Sequence, residues 1–208
     1  MNLLAAELAC HRGGRAVFAG LSFEVAAGEA LIILGRNGAG KTSLLRLIAG
    51  LLRPAGGQIV LHGGDRERTL PEQSHYLGHQ DAVKPALSVR ENLEFWTRYF
   101  GGGDIAPALE EVGLAAIADL PAAYLSTGQR RRLSFARLLA AARPIWLLDE
   151  PTASLDDSAL AWLDEAMRAH RADGGIIVSA THGPLGLANA KELRLEEAAA
   201  AAAATTLQ

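Results

Sequence analysis

Apolar and polar positions alternate through two stretches near the start of the chain, residues 3–10 and 16–25, and Arg12-Gly13-Gly14-Arg15 between them carries the glycines of a tight turn. Together they predict a small antiparallel β layer. The alternation gives way to an unbroken apolar run at 30–34, whose length suits a strand buried on both faces. A glycine-rich segment follows, then a helix over 41–49. In that helix Leu44, Leu47, Ile48 and Leu51 recur at i, i+3, i+4 and i+7, and Gly50 is placed to end it. Residues 59–61 and 74–77 predict two further strands.

From residue 81 the pattern turns helical. Ser88 with Glu91 forms a capping box, and Val89, Leu93, Trp96 and Phe100 lie along one stripe of the helix it opens. A second helix is predicted over 107–112, stopped by Gly113, and a basic one runs from Ser126 to residue 142. Strand 145–148, helix 159–172 and strand 176–179 then restore alternation of type, which predicts a mostly parallel sheet with helices packed on it. The fold class is therefore α/β. A core lobe of residues 1–80 and 144–195 receives 81–143 as an inserted helical subdomain. The tail, 196–208, is low-complexity, with alanines throughout 198–204, and no chemistry is assigned to it.

Composition narrows the function classes. A chain of 208 residues with 50% apolar content can bury a substantial core. Its 20 basic and 23 acidic residues leave a formal charge of -3, which argues against a nucleic-acid surface or a polybasic membrane patch. Cys10 is the only cysteine and is read as a small buried residue; one cysteine builds neither an internal disulfide nor a cysteine-rich metal site, which fits a reducing compartment. The apolar runs fall well short of the roughly 20 residues that span a bilayer. Glu7, His11 and Arg12 interrupt the N-terminal apolar stretch, so no secretory signal is predicted and the protein is expected to stay where it is made.

Candidate chemistry begins at Gly35-Arg36-Asn37-Gly38-Ala39-Gly40-Lys41-Thr42, followed by Ser43. This satisfies G-x-x-x-x-G-K-[ST] and lies between a predicted strand and a predicted helix. Glycines there let the backbone aim N–H groups at phosphate oxygens, and the helix adds its positive end. Lys41 is expected to reach the β- and γ-phosphates of ATP, and Thr42 to place its hydroxyl on Mg2+. Strand 145–148 runs directly into Asp149 and Glu150, the Walker B arrangement: Asp149 holds the metal and Glu150 orients or deprotonates the attacking water.

Leu125-Ser126-Thr127-Gly128-Gln129 separates this chain from other phosphate-loop enzymes. It resembles the signature motif of ABC ATPases, with Thr127 where glycine is usual. Gln80 matches the family's Mg2+-contacting glutamine, Ser154-Leu155-Asp156 its D-loop, and His182 its switch histidine. The resemblance covers residues 3–195. It implies a P-loop core of ABC ATPase type and a head-to-tail dimer, in which ATP on one copy is closed over by Ser126, Gly128 and Gln129 of the other. One departure stands out, because the family's aromatic A-loop position is occupied by Cys10-His11-Arg12-Gly13, which leaves base selectivity open.

Tyr76-Leu77-Gly78-His79-Gln80, Lys84, Leu87-Ser88, Glu91-Asn92-Leu93-Glu94-Phe95-Trp96 and Thr181-His182-Gly183-Pro184-Leu185 look like the ATP-binding subunits of bacterial haem exporters used in cytochrome c maturation. That resemblance implies peripheral attachment to the cytoplasmic face of the inner membrane through integral permease subunits, docked near 81–87, with no nucleic-acid partner. It leaves open whether ATP drives haem across the bilayer or releases a haem-loaded chaperone. An ABC motor with other cargo, or a soluble ABC protein acting on DNA or ribosomes, are the alternatives; the mild charge and the absence of long heptads speak against the latter. His75 and His79 lie on a predicted strand and loop, not on one helical face, and are not read as haem ligands.

Overall fold

The computed structural model describes residues 1–182 and 185–195. The tail 196–208 and Gly183-Pro184 lie outside the described residues. β1 (Asn2–Arg12) and β2 (Arg15–Ala26) form the predicted hairpin, closed by Gly13 and Gly14 at φ 54° and 76°. Two consecutive left-handed residues make the turn whose twist matches the strands. β4 (Gly56–His62) adds to the other edge of β1, giving an antiparallel sheet of order β2-β1-β4.

The second sheet has the order β5-β6-β7-β3-β8, built from β3 (Ala30–Leu34), β5 (Ser74–Leu77), β6 (Ile145–Asp149), β7 (Ile176–Ala180) and β8 (Lys191–Arg194). All its pairings are parallel. Its central strands read as continuous apolar runs because both faces are covered. Ile145, Leu147, Ile176 and Val178 share one core with Leu3, Leu8, Phe18 and Val25 of the antiparallel layer and with Leu44, Leu45, Leu47 and Ile48 of α1 (Lys41–Ile48). Trp146, Leu148 and Ile177 enter a second core on the opposite face, against Phe135 and Leu138 of α4 (Thr127–Ala140) and Leu163 and Met167 of α5 (Asp157–Ala172).

A third core belongs to the helical segment. Val89 and Leu93 of α2 (Val89–Tyr99), Ala108 and Leu109 of α3 (Ile105–Glu111), and Leu133, Ala136 and Ala140 of α4 pack together. α4 thus presents different faces to two cores, a consequence of its near-complete burial beyond the first turn.

Several boundaries differ from the pattern. Leu51 does not join the buried face of α1: the helix ends at Ile48, Gly50 turns the chain at φ 69°, and Leu51 is 60% exposed. α3 and α5 begin two residues early because Asp104 and Asp156 accept hydrogen bonds from the amides of Ala106 and Ala159. β8 was not predicted, since Lys191–Arg194 carries a single apolar residue and holds its place by edge pairing with β3. The Ser88–Glu91 capping box is present as predicted.

Candidate functional site

Parallel pairing brings the carboxyl ends of β3, β5, β6 and β7 to one edge of the sheet, where ligands bind in open α/β folds. Loop 35–40 leaves β3, residues 78–81 leave β5, Asp149 and Glu150 end β6, and Thr181 and His182 follow β7. They surround a cavity of about 390 Å3. Its wall comprises Asn37, Gly38, Gly40, Lys41, Thr42 and Ser43 of the loop and α1, the carboxylates Asp149 and Glu150, His79 and His182, and Arg12 and Val17.

The loop turns on Gly35, Gly38 and Gly40 at φ 152°, 83° and 102°, a region that costs an L side chain strain. Gly40 is the N-cap of α1 and offers no side chain, so the first-turn amides lack an internal acceptor and face the cavity as an anion site. Gly35, Arg36 and Ala39 shape the loop without lining the cavity. The buried ammonium of Lys41 folds back over it, donating to the carbonyls of Gly35 (2.8 Å) and Arg36 (3.4 Å). It also lies 2.9 Å from His182 Nε2; an ammonium only donates, so that nitrogen accepts.

The Thr42 hydroxyl donates to Asp149 Oδ1 at 3.1 Å, and the Tyr76 hydroxyl to Oδ2 at 3.4 Å. Burial, reinforced by the Asp149 charge, pushes the Tyr76 phenol up, so it stays protonated and donating. Glu150 sits at φ 49°, outside the strand it follows. Its amide donates to the Ala180 carbonyl (2.8 Å), and its Oε2 accepts from the His182 amide (3.3 Å). Two polar sets therefore meet at the cavity, the hydroxyls on Asp149 and the linked Lys41, His182 and Glu150, the latter drawn from residues up to 141 positions apart.

Other residues singled out in the sequence stand elsewhere. Ser126 caps α4: its hydroxyl accepts from the Gln129 amide (3.2 Å), while Gln129 Oε1 accepts from the Ser126 amide (2.9 Å). Asp156 caps α5 and accepts from Arg132 at 2.6 Å; its hydrogen bond from Ser158, then that from Ala159, holds its carboxyl below the usual range. Ser126, Gly128, Gln129 and Asp156 do not line the cavity. Gly128 lies instead beside the Ser154 carbonyl, which makes the signature and D-loop segments neighbours. Gln80 is exposed and off the cavity wall, which takes His79 in its place. In the A-loop region Arg12 and Val17 line the cavity and His11 does not.

The family is decided by a profile match: residues 18–153 match the family described as ABC transporter. The chain belongs to the ABC transporter family. A relative from Rhodopseudomonas palustris (strain BisB5), named cytochrome c biogenesis ATP-binding export protein CcmA, is 60% identical over 194 residues, 92% of this chain and 96% of its own. Among solved structures, a putative ABC transporter ATP-binding protein from Pyrococcus furiosus superposes with TM-score 0.81 at 22% identity, covering 95% of this chain and 99% of that one. A bacterial Atm1-family ABC exporter with ATP bound gives TM-score 0.78 at 25% identity, over 93% of this chain and 36% of that one. As an ABC ATPase the chain binds nucleotide, and its α/β architecture is that of the family.

Sequence reasoning passed over Tyr76, Val17 and Arg131. Tyr76 and Val17 are apolar-pattern residues of strands, with nothing local to mark them. Arg131 carried a signal. It falls on the i, i+3, i+4, i+7 stripe with Ser134, Phe135 and Leu138, a cation at a helical position whose neighbours are buried.

Proposed function

We propose that this chain is the ATP-hydrolysing subunit of the haem-handling exporter of cytochrome c maturation. It works as a head-to-tail pair on integral permease subunits at the cytoplasmic face of the bacterial inner membrane, and couples hydrolysis to haem export or to release of a haem-loaded chaperone. The observation that carries the ATPase reading is the meeting of Lys41, Thr42, Asp149, Glu150 and His182 around one cavity at the sheet's carboxyl edge. The cargo reading is supported by the 60% identity to the cytochrome c biogenesis relative. Attachment through partners is supported by the helices, none of which among the described residues is long and apolar enough to cross a membrane.

In this reading the first-turn amides of α1 and the Lys41 ammonium bind the β- and γ-phosphates, the ammonium leaving the Gly35 carbonyl for phosphate oxygens. Glu150 accepts a proton from water as its oxygen attacks the γ-phosphorus; the bond to the β–γ bridging oxygen breaks, and ADP and phosphate leave. His182, whose Nε2 lies 3.5 Å from Glu150 Oε1, would hold the attacked phosphate from beside Glu150. The Thr42 hydroxyl and Asp149 carboxylate, oxygen donors 3.1 Å apart, suit Mg2+, a hard cation that keeps waters in its other positions. When bound with nucleotide, that ion neutralises charge on the phosphates. Gln80 would join it only after residues 78–81 move toward the cavity. Ser126, Gly128 and Gln129, set apart from their own chain's cavity, would complete that of a second copy.

Glu150→Gln is expected to bind ATP with near-normal affinity and accumulate as a dimer, because the phosphate contacts remain while proton acceptance is lost. ATP turnover at the wild-type rate in that variant would remove Glu150 from the mechanism. An affinity pull-down from detergent-solubilised membranes tests the cargo: recovery of haem-maturation subunits is expected, and recovery of sugar or metal permeases alone would refute it.

A further inference from the structure

We propose that Arg131 is a positioning residue for hydrolysis: it fixes the Glu150 carboxylate and ties it mechanically to the segment that leaves β5. The inference rests on the reading of Glu150 as the proton acceptor. Arg131 projects from the second turn of α4 and is 4% exposed. One of its terminal nitrogens donates to the Gly78 carbonyl (3.0 Å) and to Asp81 Oδ1 (3.1 Å). The other donates to the carbonyls of Glu150 (2.9 Å) and Asp149 (3.4 Å). A single planar group thus spans the segments that leave β5 and β6, neighbouring strands of the sheet.

Burying a cation costs several kcal/mol unless it is paired and its donors are met. Here Asp81 supplies the charge and three carbonyls supply acceptors for the two terminal nitrogens, Nε alone being left without a hydrogen-bond partner, so the arrangement holds while the segments keep their spacing. α4 grips Asp81 a second time, through the Ser134 hydroxyl donating to its carbonyl at 2.5 Å. On the other side, Glu150 is held at φ 49° between the Ala180 carbonyl, which accepts from its amide, and Arg131, which donates to its own carbonyl. Turning the Glu150 peptide out of this conformation breaks the bond to Arg131. A displacement of residues 78–81 or of α4 is therefore transmitted to the carboxylate through one rigid fork. Lysine, a point charge with one nitrogen, does not bridge both segments in the same plane.

The test is steady-state ATPase kinetics of the full chain carrying Arg131→Met, Arg131→Lys, Arg137→Met or Glu150→Gln, with ATP affinity and Tm measured on each. Arg137 is the control because it is equally buried on α4 but donates to the Ser134 carbonyl and stacks over Trp96, away from Glu150. Arg131→Met is expected to lower kcat by about tenfold or more, the order of effect that sub-ångström misplacement of a reacting group produces. KM and ATP affinity stay within about twofold, because the phosphate contacts are untouched. Arg131→Lys restores part of kcat, and Arg137→Met lowers Tm without lowering kcat. If Arg131→Met does not fold, Arg131→Lys carries the expectation, with reduced kcat at unchanged KM. The proposal is overturned if a folded Arg131 variant turns over ATP at the wild-type rate, or if Arg137→Met loses as much kcat. An active Glu150→Gln would instead overturn the reading of Glu150; an inactive Glu150→Gln beside fully active Arg131 variants overturns this inference alone.

Discussion

Gly40→Ala tests whether the phosphate loop is shaped by its contact with the antiparallel layer. Two separable costs follow from the structure. At φ 102° a Cβ strains the backbone by about 1–2 kcal/mol. That Cβ would also lie 2.4 Å from Val17 Cγ1 and 3.2 Å from Phe18 Cδ1, and overpacking of this kind costs about 1–3 kcal/mol. The sum, about 2–5 kcal/mol, lowers Tm by about 4–20 °C in a domain of this size. Val17→Ala removes the clashing methyl and leaves the backbone strain and the Phe18 contact. In a double-mutant cycle followed by thermal unfolding, Gly40→Ala should therefore cost less when combined with Val17→Ala, with a coupling of about 1–3 kcal/mol. A Gly40→Ala penalty that is the same in both backgrounds would refute the steric account, and an unchanged Tm for Gly40→Ala would refute the loop geometry itself.

The remaining predictions concern the signature segment and acid stability. Gly128→Ala places a Cβ in ordinary contact, 3.6 Å from the Ser154 carbonyl, and the site has no positive φ, so stability should hold or rise by up to about 1 kcal/mol. Under the proposed head-to-tail pairing the added methyl would meet the partner copy's nucleotide, and ATP turnover should then fall by about tenfold; wild-type turnover in a dimer would refute that placement. His75 is buried, with Nε2 2.5 Å from the Ala141 carbonyl, and burial, aided by the Arg137 and Arg143 charges, pushes its pKa down to about 3. Its contribution to stability is whole above the unfolded value near 6.5 and is lost as pH falls toward 3, because only the unfolded chain takes up the proton. The slope is about 1.4 kcal/mol per pH unit. Urea midpoints between pH 7.5 and 5 should decline less steeply in His75→Gln, and equal slopes would refute the buried neutral histidine.

Much of this protein is fixed by local sequence. The Gly13-Gly14 turn, the apolar runs 30–34 and 145–148, and the Ser88 and Ser126 caps depend on backbone preference and on contacts within a few residues, so periodicity and turn chemistry reveal them. The same holds for Lys41, Thr42, Asp149 and Glu150, whose spacing against strand ends is itself the signal. What the sequence does not determine is which strands are neighbours. Only the order β5-β6-β7-β3-β8 sets His182 against Lys41 and Glu150, stations Tyr76 on Asp149, and lays Arg131 across two strand ends. Tertiary placement likewise decides that Leu51 faces solvent and that Arg12, not His11, meets the cavity. The reason is range: caps and turns draw on bonds a few residues apart, whereas the site is assembled by pairings between strands far apart in sequence, whose free energy no local pattern encodes.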